Sequence, residues 1–356
     1  MNLALVGVGL IGGSVGMAAR ERLGATVRGY DPADGVLDVA RERGAVDVAS
    51  ASIPEALDGA DTAVVAAPVG VLPEVVAEVL AAAGPDCVVT DVGSTKRAVV
   101  AACDDERFVG GHPLAGAETA GVEHARADLF DGTTWYLTPT DRTGGMLYER
   151  LHRSISGLGA RPAAIDPDEH DRVLAAVSHL PHVLANVLVA QAANALPTGA
   201  ERLPAIGPSF RDATRVAGAN SGIWSDIYLS NADALAEHLD AAIARLQTVR
   251  DQLTAGDREG VTAWNDAAAD DRRRLLEAGL AGGPVHELRV SVPNRPGVVA
   301  QVALELGRAG VNIVDMALHP TADMSEGTIA LWVQGDAEAD RAVELVGALD
   351  LPVARL

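Results

Sequence analysis

Four segments of this chain set polar, chemistry-bearing side chains inside apolar surroundings. Gly110-Gly111-His112-Pro113-Leu114-Ala115-Gly116-Ala117-Glu118 offers an imidazole and a carboxylate. Its flanking glycines and proline put His112 on a loop at a strand end rather than on a core face. Asp91-Val92-Gly93-Ser94-Thr95-Lys96 offers the Ser94 hydroxyl and the chain's one lysine. It lacks the spacing of a phosphate-binding P-loop. Ser178-His179-Leu180-Pro181-His182 puts two imidazoles on one helix face. Phe210-Arg211-Asp212-Ala213-Thr214-Arg215 carries two guanidiniums, with Trp224 beyond it. Imidazoles exchange protons near neutral pH, and guanidiniums hold carboxylates through paired bonds. Each segment also has a plainer reading. His112 could be a structural turn residue, and Arg211 and Arg215 could make surface contacts with acids. His179 and His182 lack an obvious third ligand, so no metal is expected.

A fifth segment points to a cofactor. Gly7-Val8-Gly9-Leu10-Ile11-Gly12 follows a strand-like run and opens a helix, the context in which G-x-G-x-x-G binds a dinucleotide. Gly7 allows the tight turn, Gly9 lets the backbone approach a pyrophosphate, and Gly12 lets helix and strand pack closely. The helix start, with Leu10 and Ile11, presents free N–H groups to phosphate. Asp31 ends the second strand, 19 residues after Gly12, where an acid bonds the ribose hydroxyls of NAD and repels the 2′-phosphate of NADP. The plainer reading of Asp31 is a cap for the helix after Pro32.

These residues need elements to position them. Residues 1–165 alternate Val- and Ala-rich runs with helical stretches, which predicts an α/β domain with a doubly wound parallel sheet. Strands are expected at Leu3–Val6, Thr26–Tyr30, Thr62–Ala66, Cys87–Asp91, Phe108–Gly111, Thr134–Leu137 and Pro162–Ile165. Residues 166–281 carry only helical periodicity, opened by Asp166-Pro167-Asp168-Glu169, and predict an all-helical domain. The Asp270–Arg274 run reads as a solvated helix face. After Gly282-Gly283-Pro284 the period becomes two, and residues 285–356 read as βαββαβ, a ferredoxin-like module.

Composition narrows the classes. Acids outnumber bases 49 to 28, a net charge of −21, which disfavours nucleic acid and anionic membranes as partners. The two cysteines make no disulfide framework. No secretory signal is visible. Thr62–Gly84, the run that reads as most apolar, is broken by Pro68, Pro73, Glu74 and Glu78, so no membrane span is expected. The expectation is a cytoplasmic protein.

Taken in order, GVGLIGGS, DVGSTK, GGHPLAGAE, SHLPH and FRDATR resemble the prephenate dehydrogenase family over roughly residues 1–280. The resemblance implies a Rossmann-type NAD domain, a helical domain that forms a homodimer, and oxidative decarboxylation of prephenate or arogenate. It further implies His112 as catalytic base for the C4 hydroxyl, with Ser94 hydrogen-bonding near that hydroxyl and the nicotinamide. Arg215 would bind a substrate carboxylate, with Arg211 in the same motif. His179 and His182 would line the site near the substrate side chain. Glu118 would gate access or pair with a neighbouring base, and Trp224 would form a wall, from its own or from the other subunit. Neither Ala117 nor His182 is an acid, which leans toward prephenate. Residues 285–356 resemble an ACT domain. Its turns at Val292–Gly297, with Asn294, Arg295 and Gly297, and at Gly310–Ile313, with Asn312, would hold a tyrosine effector. The competing enzyme class, β-hydroxyacid dehydrogenases and imine reductases, typically relies on a catalytic lysine or other groups in the helical domain; this helical region has no lysine, which counts against the lysine-based version. A non-catalytic sensor would not need His112, Ser94 and Arg215 together.

Overall fold

Leu3 and Leu5 of the first strand join one apolar cluster, whereas Ala4 and Val6 join another, and all four are buried. Both faces of that strand are therefore covered, as in a parallel sheet wrapped by helices. The computed structural model describes residues 1–356 except 117–118, 196–205, 279–283, 294, 296–297, 312 and 322–324. It also leaves out the side chains of 299, 300, 304, 308, 314, 315, 317, 318 and 320. The first elements are β1 (Asn2–Val6), α1 (Leu10–Leu23), β2 (Thr26–Tyr30), α2 (Val36–Glu42), β3 (Val48–Ala49), α3 (Ile53–Ala56) and β4 (Thr62–Val65). Then come α4 (Leu72–Ala82), β5 (Val88–Asp91), α5 (Arg97–Ala102), β6 (Phe108–Pro113), β7 (Thr134–Thr138), α6 (Gly145–Gly157) and β8 (Arg161–Ala164).

These strands form one eight-stranded sheet, ordered β3-β2-β1-β4-β5-β6-β7-β8. The order reverses between β1 and β4, so a crevice opens beyond their carboxyl ends, where doubly wound folds bind ligands. Two features depart from the sequence expectation. β7 runs antiparallel to β6. β3, with only Val48 and Ala49, is too short to leave a periodic signal.

The helical region continues with α7 (Pro167–Leu174), a π-helical turn (Ala175–His179), α8 (Leu180–Asn194), α9 (Pro208–Ala213), α10 (Ser221–Ser230), α11 (Ala232–Ala255) and α12 (Arg258–Ala278). Asp166 caps α7 by accepting from the N–H groups of Asp168 and Glu169, as the acidic start predicts. Pro181 has no N–H to give the carbonyl four residues back, and the π turn widens the helix just before it. The uninterrupted helical run Pro167–Asn194 is long and apolar enough to cross a membrane by length and composition, with a window of mean hydropathy 1.7. The sequence reading, fixed on Thr62–Gly84, passed over this run. Only 22% of that window is buried within the chain, and Val177, Val187, Leu188 and Val189 are exposed.

By compactness the chain divides into Met1–Ile243 and Ala244–Leu356. The division falls within α11, so the large sheet and the first helices share one unit. In the second unit follow β9 (Val285–Pro293), α13 (Val298–Arg308), β10 (Ile313–Pro320), β11 (Glu326–Gln334), α14 (Asp336–Gly347) and β12 (Val353–Arg355). They form the expected βαββαβ unit, an antiparallel sheet ordered β10-β11-β9-β12. Leu288, Val290 and Val292 pack with Ile329, Leu331 and Val333 beneath Val302 and Leu306 of α13 and Val346 of α14. In α12, Arg273 and Arg274 pair with Asp270 and Asp271 on an exposed face, as expected, while Arg272 lies over the Trp332 ring at 5.4 Å.

Candidate active site

The carboxyl ends of β1, β4, β5 and β6 carry the glycine turn, Ala66-Ala67, the Asp91–Lys96 turn and His112. Gly7 has φ +92°, and a Cβ there would sit 2.4 Å from the Ala66 carbonyl oxygen. A Cβ on Gly12 would lie 2.1 Å from the carbonyl oxygen of Gly7, so strand and helix meet at the closest approach backbones allow. Gly9 differs: a Cβ there would meet nothing within 4 Å. Protein packing leaves that position open, as a cradle for a pyrophosphate requires. Leu10 and Ile11 begin α1 there, at its positive end. The Asp31 carboxylate accepts from the N–H of Val8 at 2.8 Å and of Ala33 at 2.9 Å. It closes a local turn and braces the glycine loop, whereas the N-cap of α2 is Gly35. Each carboxylate oxygen has a second lone pair left for a ribose hydroxyl. The residues present therefore fit NAD.

His112 lies within β6, paired with Tyr136 of β7, and is buried. The loop placement read from its glycine and proline neighbours is thus corrected: the antiparallel β7 extends β6 through Pro113. His112 Nδ1 lies 2.9 Å from Nε2 of His170, and His170 Nδ1 lies 2.8 Å from the Asp171 carboxylate. That carboxylate also accepts from the N–H of Lys96 at 2.7 Å and of Arg97 at 3.0 Å, at the start of α5. Burial alone would raise its pKa, but the bonds from His170, Arg97 and Lys96 prevail and hold it below the usual range. An ionised Asp171 accepts a hydrogen bond from the His170 Nδ1–H, and in the neutral ring that leaves His170 Nε2 as an acceptor. His112 must then carry its proton on Nδ1, so its Nε2 is bare. Burial, helped by the nearby His170, Lys96 and His179, lowers the His112 pKa well below 6.5 and keeps the ring neutral.

Lys96 is wholly buried, bonded to the buried Asp91 carboxylate and, at 2.8 Å, to the Gly111 carbonyl. Asp91 also accepts from the N–H of Gly111 at 3.0 Å and of Gly93 at 2.8 Å. The pair thus clamps β5, its turn and the backbone next to His112. Ser94, half-buried in that turn, follows β5, and His112 lies near the carboxyl end of the neighbouring β6.

A second group gathers on the helical side. His182 stacks on Trp224, ring centroids 3.5 Å apart, and His179 meets the same indole edge-on at 6.2 Å. His182, Arg215 and Trp224 line a cavity of about 770 Å³ with Gly116, Thr119 and Asn220. Burial and then Arg215 lower the His182 pKa, and burial takes His179 down to about 4. Trp224 lines that cavity within its own chain. Arg211 is exposed on α9 and does not line the cavity. Glu118 lies outside the described residues, as do Asn294, Gly297 and Asn312; Arg295 is exposed and donates to Gln301 at 2.8 Å. No metal-binding cluster occurs among the described residues.

Sequence reasoning missed His170, Asp171, Arg97 and Asn231. The adjacent His170-Asp171 pair inside a capped helix was the available signal; Asn231, between α10 and α11, gave none.

Comparison with known proteins places the same three regions. Family models match at residues 15–163 (prephenate dehydrogenase, nucleotide-binding domain), 166–265 (prephenate dehydrogenase, dimerization domain) and 286–333 (ACT domain). The prephenate dehydrogenase of Bacillus subtilis (strain 168) is 32% identical over 98% of this chain and 96% of its own length. A crystal structure of prephenate dehydrogenase from A. aeolicus, in complex with hydroxyphenyl propionate and NAD+, superposes with a TM-score of 0.73 at 28% identity, covering 77% of this chain and 98% of that one. Synechocystis arogenate dehydrogenase superposes with a TM-score of 0.67 at 27% identity, over 77% of this chain and 100% of that one.

Proposed function

The chain belongs to the prephenate dehydrogenase family, and from that premise we propose how its residues carry out the reaction. It is an NAD-dependent oxidoreductase that converts prephenate to 4-hydroxyphenylpyruvate and CO2. NAD, when bound, supplies the hydride acceptor at the crevice beyond β1 and β4, with Gly7, Gly9, Gly12, the α1 start and Asp31 holding it.

The observation that carries the mechanism is the His112–His170–Asp171 chain of hydrogen bonds, from which a bare Nε2 on His112 follows when His170 is neutral. That lone pair takes the proton of the substrate's C4 hydroxyl as the C4 hydride leaves. The bond from C1 to its carboxylate then breaks, releasing CO2, and its electron pair completes the aromatic ring. The ring oxygen recovers its proton from the His112 imidazolium, whose lowered pKa makes it a ready donor. Ser94 orients the hydroxyl, Arg215 clamps a carboxylate, and His179, His182 and Trp224 enclose the remainder. Arg211 stands outside this reading.

The decisive assay follows absorbance at 340 nm with NAD or NADP, each against prephenate and arogenate. Prephenate with NAD should give the highest kcat/KM. His112→Asn should lower kcat by ~10²–10⁴ with a smaller change in KM, as loss of a general base does. Full turnover by that variant would defeat the mechanism. The Synechocystis relative keeps arogenate as the second reading.

The exposed apolar surface of Pro167–Asn194 and the match to a dimerization domain support a homodimer. The ACT match supports amino-acid feedback, with tyrosine as effector. Two free cysteines accord with a cytosolic setting.

A further inference from the structure

Asn231 is wholly buried between α10 and α11. Its Oδ1 meets a guanidinium nitrogen of Arg97 at 2.8 Å. A guanidinium only donates, so that atom must be the amide oxygen. The amide nitrogen then faces the other way. There it donates to the Asp171 carbonyl at 2.7 Å and to His179 Nδ1 at 3.3 Å. A ring nitrogen that accepts this bond carries no proton. The ring is neutral at pH 7, because burial lowers its pKa to about 4. Its single proton is therefore on Nε2. His112 has the opposite arrangement, with its proton on Nδ1 and Nε2 bare. Arg97 stands behind both, bonding Asn231 on one side and Asp171 on the other.

We propose that Asn231, oriented by Arg97, is a positioning residue that makes His179 a hydrogen-bond donor to a substrate oxygen, opposite in polarity to the acceptor His112. His179 is 1% exposed, and because Asn231 engages its Nδ1, Nε2 is the ring nitrogen left to face a substrate. A substrate oxygen that reaches this nitrogen gains a hydrogen bond in a nearly enclosed place. His179 lies near His170 and Asp171 on one side and meets the Trp224 wall on the other. The oxygen it meets therefore belongs to the part of the substrate between the C4 hydroxyl and the group held at Arg215. An ammonium in that place would find a donor facing it, so the tautomer selects a keto or carboxylate oxygen over an amine. The identity of the substrate rests on the function proposed above; the tautomer does not.

Long-range ¹H–¹⁵N NMR of the full-length, histidine-labelled protein reads the tautomer directly, with His179→Gln assigning the signals. The wild-type spectrum should show His179 protonated at Nε2. In Asn231→Asp, whose side chain only accepts, the proton should move to Nδ1. The KM for prephenate should then rise up to about tenfold, as expected when a hydrogen bond to a substrate oxygen is lost, with kcat within about threefold. The preference over arogenate should narrow. A wild-type His179 protonated at Nδ1 would overturn the proposal, as would an unchanged KM in a variant whose tautomer has reversed. Should Asn231→Asp fail to fold, Arg97→Met frees the amide to turn over and should give mixed tautomers; a pure Nε2–H spectrum there would remove Arg97 from the argument. Absence of any wild-type turnover of prephenate would instead count against the function, leaving the tautomer result intact.

Discussion

His112 owes its role to its neighbours as much as to its own chemistry. A histidine whose folded pKa lies below 6.5 stays neutral, and so stays a base, further into acid than a free imidazole. The acid limb of kcat/KM for the free enzyme should therefore fall below pH 6.5, and a limb centred at or above that value would contradict the burial argument. On the cofactor side, Asp31 is the residue proposed to act by charge. Asp31→Ala removes the carboxylate that repels a 2′-phosphate, so the ratio of kcat/KM for NAD to that for NADP should drop. It also strips a bond from Val8, so some loss with both cofactors is expected; an unchanged ratio would remove Asp31 from cofactor choice.

At the scale of elements, the site is held by short stretches of main chain pinned at strand ends. Lys96 and Asp91 are both 0% exposed at their side chains and satisfy one another. Such a pair adds little net stability over apolar residues, but losing one partner strands a charge. Lys96→Met should destabilise the protein by roughly 3–5 kcal/mol, read by urea titration, and should lower kcat through the displaced β6 backbone. The sequence exposed both halves of the clamp within one motif, Asp91 to Lys96. It did not reveal that the lysine turns inward, because nothing local distinguishes a buried ammonium from a surface one. The same limit applied to His112, whose glycine and proline neighbours suggested a loop. Pairing with Tyr136, a contact across 24 positions of sequence, made it part of a strand.

At the scale of the whole molecule, the helical run Pro167–Asn194 leaves Val187 and Leu188 at 55% and 45% exposure. Exposed apolar surface of this extent is what the proposed dimer would cover. Leu188→Asp should shift the sedimentation of the protein toward the monomer; an unaltered dimer would place the interface elsewhere. For the ACT region, 1 mM tyrosine should lower activity or raise the melting temperature, and neither change would leave that region a structural role only. By itself, the sequence determined whatever depends on neighbours in the chain. The glycine cradle, the acid ending β2, the capped start of α7 and the three-part organisation are local patterns with local physical causes. Tertiary structure alone decided how the imidazoles are protonated. His112 and His170 are 58 residues apart, Asn231 and His179 are 52 apart, and Arg97 and Asn231 are 134 apart. Which nitrogen keeps its proton follows from what each ring meets across those gaps, and no pattern of residue types along the chain encodes that meeting.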